Sequence, residues 1–205
     1  MKTTPLFLTL ALCSLIAAAA WAGKFNKQLS IGDAAPGWSG LERTDGQKHS
    51  LADLADKEVV VVCFTCNTCP YAVDYEDRLI ALSKKFAAEG NRCALVAINA
   101  NKVKDDLLPA MQERAKSKGF NFSYLHDETQ QVAKSFGATF TPEFVVLNKD
   151  RKVVYLGAMD DSPDGKKITK KYVEDAVAAA LAGKQPEVTE TPAVGCAVRY
   201  VKERK

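Results

Sequence analysis

The stretch Val59–Leu79, "VVVVCFTCNTCPYAVDYEDRL", decides the fold. It opens on four valines and stays apolar to Phe64, a β-branched run that suits a strand buried on both faces near the centre of a parallel sheet. After Pro70 the spacing changes. Val73, Leu79, Leu82 and Phe86 recur at helical intervals, and Gly90 closes the run. Pro70 is compatible with a helix start, because the first turn needs no N–H there. At the junction stand Cys63, Cys66 and Cys69, each three residues from the next.

Cys66 and Cys69 form a C-x-x-C at a strand-to-helix junction. Helix N-terminal amides favour a thiolate there. A thiolate attacks a disulfide, and a second thiol about one helical turn away releases the mixed disulfide. Two other readings compete. "CFTCNTC" has the C-x2-C-x2-C opening of some iron–sulfur sites, but Pro70, Tyr71, Ala72 and Val73 follow where a further cysteine is wanted. The two histidines, His49 and His126, are not at ligand spacing and read as surface residues. An inert Cys66–Cys69 staple would close too small a loop to stabilise much.

Working outward, "IGDAAPGWSG" is turn-rich, and Asp45-Gly46 marks a hairpin between short strands. "CALVAIN" (93–99) is a second buried strand, "DDLLPAMQERAKSKG" (105–119) a helix, and "FSYL" (122–125) a short strand. "DETQQVAKSFG" (127–137) is a helix with an aspartate cap, and "TPEFVVLNKDRKVVYLG" (141–157) a hairpin turning at Asn148–Arg151. "ITKKYVEDAVAAALAG" (168–183) is the last helix. Strands joined by helices, then a hairpin, predict an α/β fold with a mixed central sheet and helices on both faces.

The ends read differently. Lys2, the short apolar "PLFLTLALCSLIAAAA" and the small residues of "AWA" (20–22) predict a secretory signal peptide over 1–22. The domain is then 23–183 and a C-terminal tail 184–205. The formal charge of +3, one less without Lys2, gives no nucleic-acid or membrane footprint. An exported chain meets a disulfide-permitting compartment, and its five remaining cysteines leave at least one unpaired.

With these pieces assembled, the chain resembles the thioredoxin-fold redoxins over roughly residues 30–182. The resemblance is to the exported TlpA-like and ResA-like oxidoreductases and to a peroxiredoxin-like (AhpC/TSA-type) subgroup. "IGDAAPGW", "DGQKHSLADL", "VVVVCFTCNTC" and "GATFTPEFVVLNKDRKVVYLG" carry it together. It implies a thioredoxin-like fold, a redox-active Cys66–Cys69 pair, and a cis Thr141–Pro142 bond facing that pair. Thr141 would present backbone hydrogen-bonding groups to an extended substrate, and Pro142 would bring no competing N–H. It implies no cofactor. The partners are protein thiol or disulfide clients and an upstream redox partner, with no nucleic acid and no membrane after signal cleavage.

There are departures. Thr65 replaces the usual Trp, Val60 stands where thioredoxins bury an acid, Ala72 where exported relatives often have Glu, and Thr68 where the peroxiredoxin-like turn often has His. No proton acceptor is therefore carried over. Glu143 is the best substitute and Asp74 a weaker one, each with a solvated charge as its plain alternative.

The leading expectation is an exported thiol–disulfide oxidoreductase in which Cys66, exposed and the more acidic, attacks and Cys69 resolves. A thiol peroxidase is the alternative, although P-x-x-x-T-x-x-C is not met: Cys63 stands three before Cys66, Cys66 three before Cys69, and Val62 replaces the Pro. A non-enzymatic binder of a thiophilic metal or partner protein is the third. Cys196, in "VGCAVRY", lies in a tail long enough to reach any face. It either pairs with Cys63, exchanges with the Cys66–Cys69 centre, or is a free tail thiol. Cys93 is expected at the far end of its strand as an inert core thiol.

Overall fold

The computed structural model describes residues 23–202; the expected leader lies outside the described residues. The chain opens with a hairpin, β1 (Leu41–Arg43) and β2 (Lys48–His49), turned through Gly46 at φ 83°. The valine run is β3 (Val59–Phe64), buried at all six positions, and Pro70–Ala88 is α1. Then come β4 (Cys93–Asn99), α2 (Leu108–Lys118), β5 (Ser123–His126) and α3 (Gln131–Ser135). β6 (Phe140–Thr141), β7 (Glu143–Leu147), β8 (Val153–Gly157), α4 (Tyr172–Leu181) and β9 (Cys196–Ala197) complete it.

The main sheet has seven strands in the order β2-β1-β5-β4-β3-β7-β8. β3, β4 and β5 run parallel, β7 lies antiparallel beside β3, and β8 lies antiparallel beside β7 at the edge. β3 therefore has neighbours on both sides, which is why its sequence is apolar throughout. Its side chains alternate between two cores. Val60, Val62 and Phe64 pack with Trp38, Val132 and Phe136, so the N-terminal segment and α3 cover that face. Val59, Val61 and Cys63 pack with Leu79, Leu82 and Phe86 of α1 and with Val173 and Val177 of α4. This is the mixed sheet with helices on both faces that the alternation of strands and helices predicts.

Local differences have local causes. α3 begins only at Gln131, with Gln130 as its N-cap at φ 64°; Asp127 lies further back, its carboxylate accepting the Ala133 N–H at 2.8 Å across the intervening turn. The histidines are not surface residues. His49 is buried and accepts the Trp38 indole N–H at its Nδ1 at 3.2 Å; His126 is half-buried at the end of β5, where burial lowers its imidazole. The segment after α4 is bound back onto the fold. Thr189 and Thr191 bond with Leu156 of β8, and β9 pairs with β6 in a separate two-stranded sheet.

Candidate active site

The parallel topology places the C-terminal ends of β3 and β4 together, the usual location of sites in such sheets. β3 ends at Phe64, the Thr65 N–H donates to the Ile98 carbonyl at 2.9 Å, and Cys66-Asn67-Thr68-Cys69 then turns into α1. Cys69 is the N-cap residue, with Pro70 first in the helix. Cys66 and Cys69 are 3% and 2% exposed.

The turn is held by a residue that sequence reasoning missed. Asp106, fully buried after β4, accepts the N–H of Asn67 at 2.7 Å and of Thr68 at 3.1 Å through Oδ1. Its Oδ2 accepts the Thr68 hydroxyl at 2.7 Å and the Asn101 amide at 3.0 Å. Asn67 is further fixed by the Tyr124 hydroxyl, which donates to its Oδ1 at 2.9 Å. A visible signal existed: Asn99, Asn101 and Asp106 cluster just after the second buried strand, at the site end of the sheet.

The facing loop comes from the start of the hairpin. Thr141–Pro142 is cis. Cys66 Sγ lies 3.4 Å from Thr141 Oγ1, and the Cys69 thiol donates to the Thr141 carbonyl at 3.0 Å. Cys66, Cys69, Thr141 and Pro142 thus form one cluster, as the resemblance implies.

The Glu143 carboxylate is engaged by backbone donors of the cis-proline loop. It is buried, and its Oε2 accepts the N–H groups of Thr139 at 2.8 Å and Phe140 at 2.9 Å, so it braces the backbone of the cis-proline loop. Burial raises its carboxyl above the ordinary value despite those donors. Asp74 is exposed on α1. Ala72, at the position where exported relatives often have Glu, is buried beside the sulfurs.

The thiols differ from expectation. Cys66 is buried, not exposed, and its pKa is raised: burial dominates and the Asp106 charge adds to it, against the Thr141 hydroxyl. Cys69 is lowered. Burial pushes it up, but hydrogen bonds from the Cys196 thiol and the Ala72 backbone outweigh that. The reason is tertiary, because the tail delivers Cys196 onto the Cys66–Cys69–Ala72 cluster.

Cys63 does not meet Cys196. It is fully buried on the α1 side of β3, where desolvation pushes its thiol well up. Cys93 begins β4 opposite Val59, at the other end of the sheet, and burial raises it to about 11. Among the described residues no group of three or more His, Cys, Asp or Glu is placed to hold a metal ion.

A family profile described as Redoxin matches residues 30–176. No curated protein matches. Among solved structures, a hypothetical protein from Sinorhizobium meliloti 1021 is 32% identical over 87% of this chain and 98% of its own, with a TM-score of 0.80. An uncharacterized conserved protein from Geobacillus kaustophilus is 30% identical over 87% and 96%, with a TM-score of 0.79. A putative thiol:disulfide interchange protein DsbE from Chlorobium tepidum, 21% identical over 62% and 84% with a TM-score of 0.54, shares the fold alone. With the mixed sheet, the C-x-x-C at the end of β3 and the cis-proline loop across from it, the match over most of the chain establishes that this protein belongs to the Redoxin family and has a thioredoxin-like fold.

Proposed function

We propose that this protein is a thiol–disulfide oxidoreductase that cycles Cys66 and Cys69 between dithiol and disulfide on extended, cysteine-bearing segments of protein clients. One observation carries the reading: Thr141 faces both sulfurs, its hydroxyl 3.4 Å from Cys66 and its carbonyl 3.0 Å from Cys69. A peptide paired to that strand edge would bring its own sulfur to the same place. Exposed Tyr71, Phe140 and Val194 lie on the segments carrying Cys69, Thr141 and Cys196, and they favour a protein client over a small solute.

Cys66 attacks a client sulfur, the client's leaving thiolate takes the proton, and Cys69 then attacks Cys66 to release the second client thiolate. The lowered Cys69 thiol suits that second attack, since the resolving group must be deprotonated. The buried Cys66 attacks only when its cover moves. The charged start and short apolar stretch before Gly23 support action outside the cytoplasm.

Insulin-disulfide reduction beside peroxide consumption tests the reaction. Insulin turnover without peroxide turnover is the expected result; the reverse would make the protein a thiol peroxidase. Client trapping tests the roles. Cys69→Ala should accumulate mixed disulfides through Cys66, and equal accumulation by Cys66→Ala would overturn the assignment.

A further inference from the structure

The tail strand occupies the edge on which a client would pair. β9 runs antiparallel to β6 with Cys196 opposite Thr141 and Ala197 opposite Phe140. The approach is close: a Cβ on Gly195 would stand 2.1 Å from the Thr141 carbonyl oxygen, so only glycine fits there. That carbonyl is the one that accepts the Cys69 thiol.

The segment is held on both sides. Upstream, Thr191 bonds with Leu156, and its Oγ1 lies 2.6 Å from the Tyr155 hydroxyl. Downstream, the Arg199 N–H donates to Asn101 Oδ1 at 2.8 Å, the Val201 N–H to Gln130 Oε1 at 2.8 Å, and the Tyr200 hydroxyl to the Ala138 carbonyl at 2.7 Å. Between these anchors Cys196 packs against the cluster of Cys66, Cys69 and Ala72. A thiol held in this way acts at high effective concentration and competes with any thiol in solution. Cys196 is also the one cysteine of the cluster that is not buried.

We infer that Cys196 is a third redox cysteine of this centre, exchanging with the Cys66–Cys69 disulfide to form a Cys69–Cys196 disulfide that fastens the tail strand over the Thr141 edge. The inference rests on the oxidoreductase reading for the source of the first disulfide. In the step, the Cys196 sulfur attacks Cys69, the Cys66–Cys69 bond breaks, and the proton leaving Cys196 ends on Cys66. One S–S bond replaces another with no net oxidation. The oxidised protein then exists in two forms. In one the disulfide lies within the turn and β9 is held by hydrogen bonds alone; in the other the client edge is closed covalently and Cys66 is a thiol again. Two thiols reopen the site: the first attacks the half-buried Cys196 sulfur and frees Cys69, and the second takes the first away as a disulfide, leaving Cys196 a thiol.

The purified chain tests this. Wild type and Cys66→Ala are reduced, oxidised with glutathione disulfide, acid-quenched, alkylated, digested and mapped by mass spectrometry. Wild type should yield a Cys69–Cys196 linked peptide beside the Cys66–Cys69 form, and in Cys66→Ala that link should become the main product. Cys66→Ser replaces the alanine variant if the latter does not fold. Cys69 and Cys196 recovered only as separate glutathione adducts, or Cys196 linked to Cys63, would overturn the inference. Gly195→Val should abolish the link and speed alkylation of reduced Cys66 by about tenfold or more, because the covering strand can no longer seat. Unchanged linking in Gly195→Val would show that the strand register is not what delivers Cys196. Insulin reduction by wild type is scored separately. Turnover without the link sinks this inference alone, and the link without turnover sinks the oxidoreductase reading while the third thiol stands.

Discussion

Two cysteines at opposite ends of the same sheet differ in the environment that topology gives them. Cys93 begins β4; burial raises it to about 11, with the Arg92 charge opposing. Cys69 ends the turn after β3, is also buried, and is lowered. Desolvation acts on both. The difference lies in donors: α1 begins at Cys69, and the tail brings the Cys196 thiol, whereas no comparable set converges on Cys93. At that end of the sheet only the thiol on which those donors converge, Cys69, is lowered, while Cys66 beside it is raised by burial.

The most forceful attempt to break this contrast is to remove the thiols one at a time. Cys66→Ala and Cys69→Ala should each reduce insulin turnover to the uncatalysed background, while Cys93→Ala leaves turnover unchanged. A loss in Cys93→Ala comparable to the other two would abolish the distinction between the ends.

Next in size is the support of the turn. Asp106→Ala strips a buried acceptor from the Asn67 and Thr68 N–H groups, the Thr68 hydroxyl and the Asn101 amide. Each orphaned buried group costs about 1–3 kcal/mol, so partial relaxation should leave a loss of about 3 kcal/mol in urea unfolding. Asp106→Asn keeps one of the two acceptor oxygens and should lose less. It should also bring the Cys66 thiol down, since the Asp106 charge raises it; alkylation rate against pH reads this directly. An unaltered alkylation profile would deny Asp106 any electrostatic hold on Cys66.

Glu143 gives a smaller, pH-dependent effect. Its carboxyl is raised above the ordinary 4.5 in the folded protein, chiefly by burial. The native state therefore holds its proton to higher pH than the unfolded chain does. The associated stabilisation is full below the unfolded value and is lost as pH rises through the folded value. Unfolding free energy measured against pH should show this downward contribution just above 4.5, and Glu143→Gln should remove it. A slope of opposite sign would mean that the two backbone donors outweigh burial.

The smallest effect probes the quiet end. Arg92 pairs with Glu58 at the surface, and its charge lowers Cys93 against the dominant rise from burial. Arg92→Ala should leave the urea midpoint unchanged and raise the Cys93 pKa slightly further, read as a slower alkylation of Cys93 in the folded protein at alkaline pH. Faster alkylation would give Arg92 the opposite role.

Much of this site was legible one element at a time. The valine run marked β3, helical spacing marked α1, and Pro70 with Cys69 located their junction, because each depends on neighbours within a few residues. Asp106 was not legible as a brace. Asp105 and Asp106 open a helical stretch and read equally as caps, and only the β3–β4 pairing brings Asp106 under the Cys66–Cys69 turn. Glu143 was read as a solvated charge or a proton acceptor, and its partners Thr139 and Phe140 are fixed by the loop's own fold.

By itself the sequence determined the order of elements and the place of the Cys66–Cys69 turn between β3 and α1, since these rest on local periodicity and on residue chemistry that does not depend on distant contacts; the proline facing that turn came from the family resemblance. Tertiary structure alone decided which thiol is the more acidic and where Cys196 lies. Both follow from the pairing of β9 with β6, a contact between Thr141 and Cys196 across more than fifty residues of chain. Such pairing is selected by the edge left open in the folded molecule and by side-chain anchors from Asn101 and Gln130. Those partners have no fixed spacing in the chain, so no pattern in the tail announces them.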